Sequence, residues 1–265
     1  MNDSLGKAPA GEQDGGSVRM SRQELRSSLW LASLYAIRML GLFLVLPVFA
    51  LHARQLPGGD DPAWVGFAFG AYGLTQALLQ IPYGAASDRF GRKQVITAGL
   101  LVMAAGSVLA AMADTVAMLA LGRALQGAGA AAIVPASLAM LSLIHDRPAD
   151  RARAIGLWGG AGGVAAAVGP VAGGLLVTFT GWRLVFWVNL PLVAAALWLT
   201  ARCLPAPETR SLRRREGGDL PGQVLSVAGL AAATYGIIAA GEHGWSPPVV
   251  ASTLAGLSLL AAFVL

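Results

Sequence analysis

Eight apolar runs of about 20 residues each, at roughly 28–50, 64–86, 94–113, 116–144, 154–179, 182–204, 222–241 and 247–265, leave this 265-residue chain one environment in which to fold. A helix rising 1.5 Å per residue crosses the roughly 30 Å hydrocarbon core of a bilayer in about 20 residues. Only 12% of the residues are charged and 55% are hydrophobic, whereas charged residues make up about 25% of a soluble domain. The expected fold class is an all-α polytopic membrane protein, and the bilayer is its first partner.

The basic residues fix the expected orientation. With a cytoplasmic N-terminus, 15 of the 19 Lys and Arg residues fall on the cytoplasmic side. Arg54 and Arg183 fall outside, and Arg38 and Arg123 lie within spans. Such asymmetry is the positive-inside pattern of an inner-membrane protein, and it accounts for a pI near 10 without a nucleic-acid partner. Trp30, Trp64, Trp182 and Trp245 stand at span ends, where an amphipathic ring favours the headgroup layer. Residues 1–27 read as a disordered cytoplasmic tail, its first 20 residues polar and Gly-rich with no apolar core of a signal peptide. Cys203, the single cysteine, has no internal disulfide partner and reads as a packing residue.

The polar stretch 205–221, with Arg213, Arg214 and Arg215, divides six spans at 28–204 from two at 222–265. We read it as a cytoplasmic linker between domains. The short break at Gly84-Ala-Ala-Ser-Asp88-Arg89-Phe90-Gly91-Arg92-Lys93 concentrates charged and turn-forming residues between the second and third spans. Positive-inside bias explains its cations but not the Gly, Asp, Gly spacing.

This break resembles the loop between the second and third helices of major facilitator superfamily transporters, Gly-x-Leu-Ala-Asp-Arg-x-Gly-Arg-Lys. Gly84, Asp88, Arg89, Gly91, Arg92 and Lys93 match, and Ala86 and Ser87 replace Leu and Ala. The resemblance implies an N-terminal six-helix bundle, one half of a transporter, followed here by about two further helices. It also implies drug/proton antiport by alternating access, driven by a proton gradient with no cofactor, and a missing C-terminal half or a second copy as partner. Residues 36–93, through Arg38 to Pro47 and Tyr72 to Pro82, look closest to 12-helix efflux proteins. From about residue 150, Arg153 to Trp158, Gly181 to Pro191 and Asp219 to Gly222 match the 14-helix branch better.

Arg123 lies about 12 Å into the fourth span by helical rise from Thr115. A charge at that depth costs about 2.5–3.5 kcal/mol on insertion scales unless it faces a wet cavity or a partner. With Gln126 and Gly127 it resembles the family's fourth-helix motif, which implies a cavity-facing Arg active in proton coupling. Snorkelling or structural pairing is the alternative for Arg123, and equally for Arg38 in the first span. Gly169, Pro170, Gly173 and Gly174 resemble the efflux-specific motif of antiporters. That resemblance implies that the glycine-rich fifth span faces the other half. Asp88 is similarly expected to latch the outward-open state against a helix of the other half, with Arg89 and Arg92. Tyr72, Gln76, Gln80 and Asn189 are candidate cavity residues for a small-molecule substrate, and Gln76 and Gln80 share a helical face.

None of the 14 acids lies in mid-membrane, so the proton carrier is unassigned. The three histidines, His52, His145 and His243, read as loop residues on both sides of the membrane, which disfavours a metal site or an enzyme. No phosphate-binding Gly-Lys-Ser/Thr loop is present.

Overall fold

The computed structural model describes residues 20–203 and 220–264, and its regular structure there is entirely helical. The tail through residue 19, the linker at 204–219 with its Arg213–Arg215 run, and the Cys203 side chain lie outside the described residues.

Three of the prolines within spans coincide with helix breaks. Pro47 has no N–H for the Phe43 carbonyl, and α1 (Arg22–Phe43) ends there before a short α2 (Leu46–Leu51). Pro135 stands in the same relation to Ala131, which ends α5 (Val116–Ala131) ahead of α6 (Ile133–Ile144). Pro191 does so to Trp187, dividing α8 (Arg183–Trp187) from α9 (Asn189–Cys203). Pro82 and Pro170, by contrast, lie inside continuous helices, α3 (Pro62–Phe90) and α7 (Pro148–Thr180).

Helix α1 begins at Arg22, so residues 22–27 are helical and do not belong to a disordered tail. A capping box accounts for the correction: Ser21 Oγ accepts from the Glu24 N–H at 3.1 Å, and the Glu24 carboxylate accepts from the Ser21 N–H at 2.8 Å. Among the described residues, seven helical stretches are long and apolar enough to cross a bilayer. The 29-residue α3 is long enough but less apolar, because Tyr72, Thr75, Gln76 and Gln80 interrupt it.

The chain divides into two compact units, Met1–Thr209 and Arg210–Leu265. In the first, α1 lies along α7, α5 sits between α3 and α4 (Arg92–Ala111), and α9 packs on α1 and α4. Glycines set the approach. Gly162, Gly169 and Gly173 of α7 face Tyr35 and Phe43 of α1 and Leu44 just past its end, while Gly129 of α5 lies against Gly99 and Met103 of α4. Small residues permit such contact where apolar lipid supplies no hydrophobic drive between helices.

Two apolar clusters fill this unit, one around Leu31, Leu100, Ile133 and Val193, the other around Val45, Ala110, Leu119 and Phe186. Helices α1, α4 and α5 each pass from one cluster to the other, and their polar residues fall in the belt between. One end of the bundle is tied by Ser28 to His145 (3.1 Å) and by Lys93 Nζ to the Ala201 carbonyl (2.9 Å). At the other end Arg183 donates to Asp114 (2.9 Å) and to the Ala113 carbonyl (3.0 Å).

The second unit is a hairpin of α10 (Leu220–His243) and α11 (Pro247–Val264). Gly229 and Gly236 of α10 face Gly256 and Thr253 of α11. Its turn contains Gly244 at φ 71°, a left-handed conformation that favours glycine.

Candidate functional site: a cationic cleft in the polar belt

The belt holds a narrow cleft lined by Arg38, Gly41, Leu42, Tyr72, Met103, Arg123, Gln126 and Asn189, drawn from α1, α3, α4, α5 and α9. Both cations meet at one level of the bundle, since each guanidinium lies at the Tyr72 ring. Both are buried, at 3% and 1% exposure.

Amide, aromatic and sulfur groups contact the two guanidinium groups. Arg123 donates to Gln126 Oε1 at 3.1 Å, Gln126 Nε2 donates to Ser107 Oγ at 2.8 Å, and Ser107 donates to the Met103 carbonyl at 2.9 Å. This relay satisfies Gln126 and Ser107 while pinning the arginine to α4. Arg38 donates to Gln76 Oε1 of α3 and, at 3.4 Å, to the Met39 sulfur. The Tyr72 ring serves both cations, with its centroid 4.6 Å from the Arg123 guanidinium carbon and 6.0 Å from that of Arg38. Tyr35, 5.7 Å from Arg38, is stacked on Trp158 at 3.7 Å. Gly162 makes room for that ring, so one glycine of the fifth span positions a cleft residue through Tyr35.

The remaining sequence candidates separate. Gly127 seats α5 against the Tyr72 carbonyl and the Thr75 hydroxyl, and Thr75 Oγ1 donates across to the Ala124 carbonyl at 2.9 Å. Asn189 is buried beside Gly41. Gln80 is half-buried but does not line the cleft. The fifth-span glycines do not form one face: Gly169 and Gly173 meet α1, whereas Gly156, Gly159, Gly160, Gly163 and Gly174 open onto empty space.

The Asp88 group lies at the end of the bundle, away from the cleft. Gly91 joins α3 to α4 at φ 93°, Asp88 pairs with Arg92 at 3.3 Å, and Arg89 stacks on Phe90. Lys93 caps the last turn of α9 within the same unit, where an ammonium favours the carbonyl end of a helix. Gly84 is nearly open, with only Pro135 nearby.

Sequence reasoning missed two features. Ser107 was legible as one of two hydroxyls, with Thr97, in the apolar run of α4. His145 reads as a loop histidine but is fully buried, bonded to Ser28 and, through Nδ1, to the Leu141 carbonyl at 3.0 Å. Only the meeting of α1 and α6 reveals it.

Comparisons with known proteins give the arrangement its family. Relatives include the inner membrane transport protein YajR of Escherichia coli, 40% identical over 199 residues, 75% of this chain and 43% of that protein. A puromycin resistance protein of Streptomyces alboniger is 38% identical over 74% of this chain and 38% of its own length. The cephamycin export protein CmcT of Amycolatopsis lactamdurans is 37% identical over 81% and 44%. The chain thus spans about two fifths of the length of the curated relatives it matches. In fold it resembles an inward-facing, occupied bacterial homolog of the human lysosomal transporter Spinster, with a TM-score of 0.61 at 24% identity over 92% of this chain and 60% of that one. The Major Facilitator Superfamily family model matches residues 31–265, and this multi-pass membrane protein therefore belongs to that superfamily.

Proposed function

We propose that the chain supplies the N-terminal half of a proton-coupled exporter of small organic compounds, working by alternating access with its N-terminus in the cytoplasm. The observation that carries this reading is the buried polar cleft at mid-depth in a six-span bundle, where transporters of this architecture hold substrate between two halves. The names of the relatives, among them a resistance protein and an export protein, support export over import. Arg123, fixed by Gln126 and facing Tyr72, is the proposed coupling residue, with Arg38 and Gly127 completing its surroundings. The Asp88–Arg92 pair and Gly91 are the proposed conformational latch. Gly169, Pro170, Gly173 and Gly174 form the proposed antiporter segment, in which Gly169 and Gly173 hold α7 on the first span.

The test is efflux from cells expressing the coding frame from Met1 to its stop codon. Export of a fluorescent organic dye that collapses with the proton gradient is expected, and gradient-independent dye retention would overturn the reading. The 265 residues purified by themselves are expected to insert but to give no dye-dependent proton flux in liposomes. Flux from a preparation that crosslinking through G160C shows to be monomeric would defeat the half-transporter proposal.

Orientation has its own test. Arg22, Arg26, Arg89, Arg92, Lys93, Arg147, Arg151 and Arg153 belong to helix ends gathered at the Ser28–His145 side, while Arg54 and Arg183 belong to the other. In a Cys203→Ser background, an impermeant thiol reagent is expected to label D60C on intact cells and R89C only after disruption. The reverse pattern would invert the orientation.

A further inference from the structure

We propose that the surface where α1 meets α9, at the Ser28–His145 end of the bundle, is a headgroup site for an anionic phospholipid, whose phosphate lies between Arg26 and Arg202 above a pair of tryptophans. The orientation proposed above makes its leaflet the cytoplasmic one, but the site itself does not depend on that reading.

Helical spacing builds the cradle. Arg26 and Trp30 are four residues apart on α1, and Trp198 and Arg202 are four apart on α9, so each arginine shares a helical face with its tryptophan. The two indoles meet edge to face across the helices, with centroids 6.4 Å apart and planes at 71°. Helix α1 begins and α9 finishes at this end of the bundle, as the Ser28–His145 and Lys93–Ala201 bonds show, so both arginines stand one turn beyond the tryptophans on the same side. The Arg26 guanidinium carbon is 5.7 Å from the Trp30 centroid, which keeps that cation over the ring.

Exposure and charge name the occupant. Val193, Ala196 and Thr200 of α9 are buried, whereas Trp198, Ala201 and Arg202 are exposed, Trp198 at 54%. Leu25 and Leu29 are exposed on α1 as well. At the end of a membrane span such a face meets the boundary between acyl chains and headgroups, where an indole is favoured. Helices α1, α4 and α9 carry one acid among them, Glu24, and its carboxylate accepts from the Ser21 N–H. Among the described residues, neither Arg26 nor Arg202 has an ion-pair partner. A zwitterionic headgroup brings its own cation, which the two arginines repel. An anionic headgroup brings a phosphate without one, and guanidinium binds phosphate oxygens through charge-assisted, two-pronged hydrogen bonds.

Tryptophan fluorescence of the 265-residue chain in phosphatidylcholine vesicles, titrated with brominated phosphatidylglycerol or brominated phosphatidylcholine, reads the site. The quenching that disappears in a Trp198→Phe chain belongs to it. That share is expected to prefer phosphatidylglycerol at least about fivefold, the effect of roughly one basic residue at a membrane surface. Arg26→Gln and Arg202→Gln should each cut the preference at least about threefold. Arg202→Lys should keep part of it, having the charge without the fork. Arg147→Gln, at the same end of the bundle but on α7, should leave it unchanged. Equal quenching by the two lipids in the wild-type chain would overturn the site without requiring any variant to fold. A loss with Arg147→Gln as large as with Arg202→Gln would reduce the site to diffuse surface charge, and reversal by soluble inorganic phosphate would replace the lipid with a free anion; either result would overturn the proposal. None of these readouts involves dye efflux, so a failed lipid site remains distinguishable from a failed transporter reading.

Discussion

Arg123→Ala is expected to reduce proton-coupled efflux by about ten- to a hundredfold while leaving the amount of protein in the membrane unchanged. The scale follows from removing a charged hydrogen-bonding group worth about 1.5–3 kcal/mol. Arg123 is 1% exposed and sits 4.6 Å from the Tyr72 ring, so its charge acts inside the cleft and not at the lipid surface. Arg123→Lys should recover only part of the activity. A lysine keeps the charge but loses the planar fork that reaches Gln126 while it lies over Tyr72. Dye efflux from intact cells, normalised to immunoblotted membrane protein, makes the comparison. Normal efflux by the Ala variant would reduce Arg123 to a packing residue of α5.

Gly129→Val is expected to be strongly destabilising although it lies outside the cleft. A Cβ there runs into the Gly99 carbonyl and the Met103 backbone, neither of which can rotate away. Overpacking of this kind typically costs about 1–3 kcal/mol, and here it also pushes α5 off the helix that holds Ser107. Gly160→Val is the matched control: its Cβ meets nothing within 4 Å, and the change should stay within about 0.5 kcal/mol. Thermal melting of both purified variants in detergent separates them. Equal melting would mean that α4 and α5 are not in the contact described.

Hydropathy alone located the eight helical runs, because the bilayer demands about 20 apolar residues wherever the chain crosses. Hydropathy cannot say why α3 carries polar residues: Thr75 and Gln76 bond to neighbouring helices. Hydropathy set the start of α1 too late, although the Ser21 and Glu24 spacing of a capping box is visible in the sequence. The charge asymmetry and the Gly91 turn were equally legible, being properties of single residues and their order.

Neighbours decided the rest. Pro47, Pro135 and Pro191 break helices while Pro82 and Pro170 do not. Gln76 and Gln80 share a face by spacing, yet only Gln76 reaches Arg38. The fifth-span glycines read as one stripe, but packing divides them between the α1 contact and an open face. The sequence determined that two arginines lie deep in a membrane and that no acid accompanies them on their own spans. That both share one tyrosine ring was decided by tertiary structure alone, since Arg38, Tyr72 and Arg123 come from three helices, and Gly127 sets the approach of α5 to α3 at Tyr72.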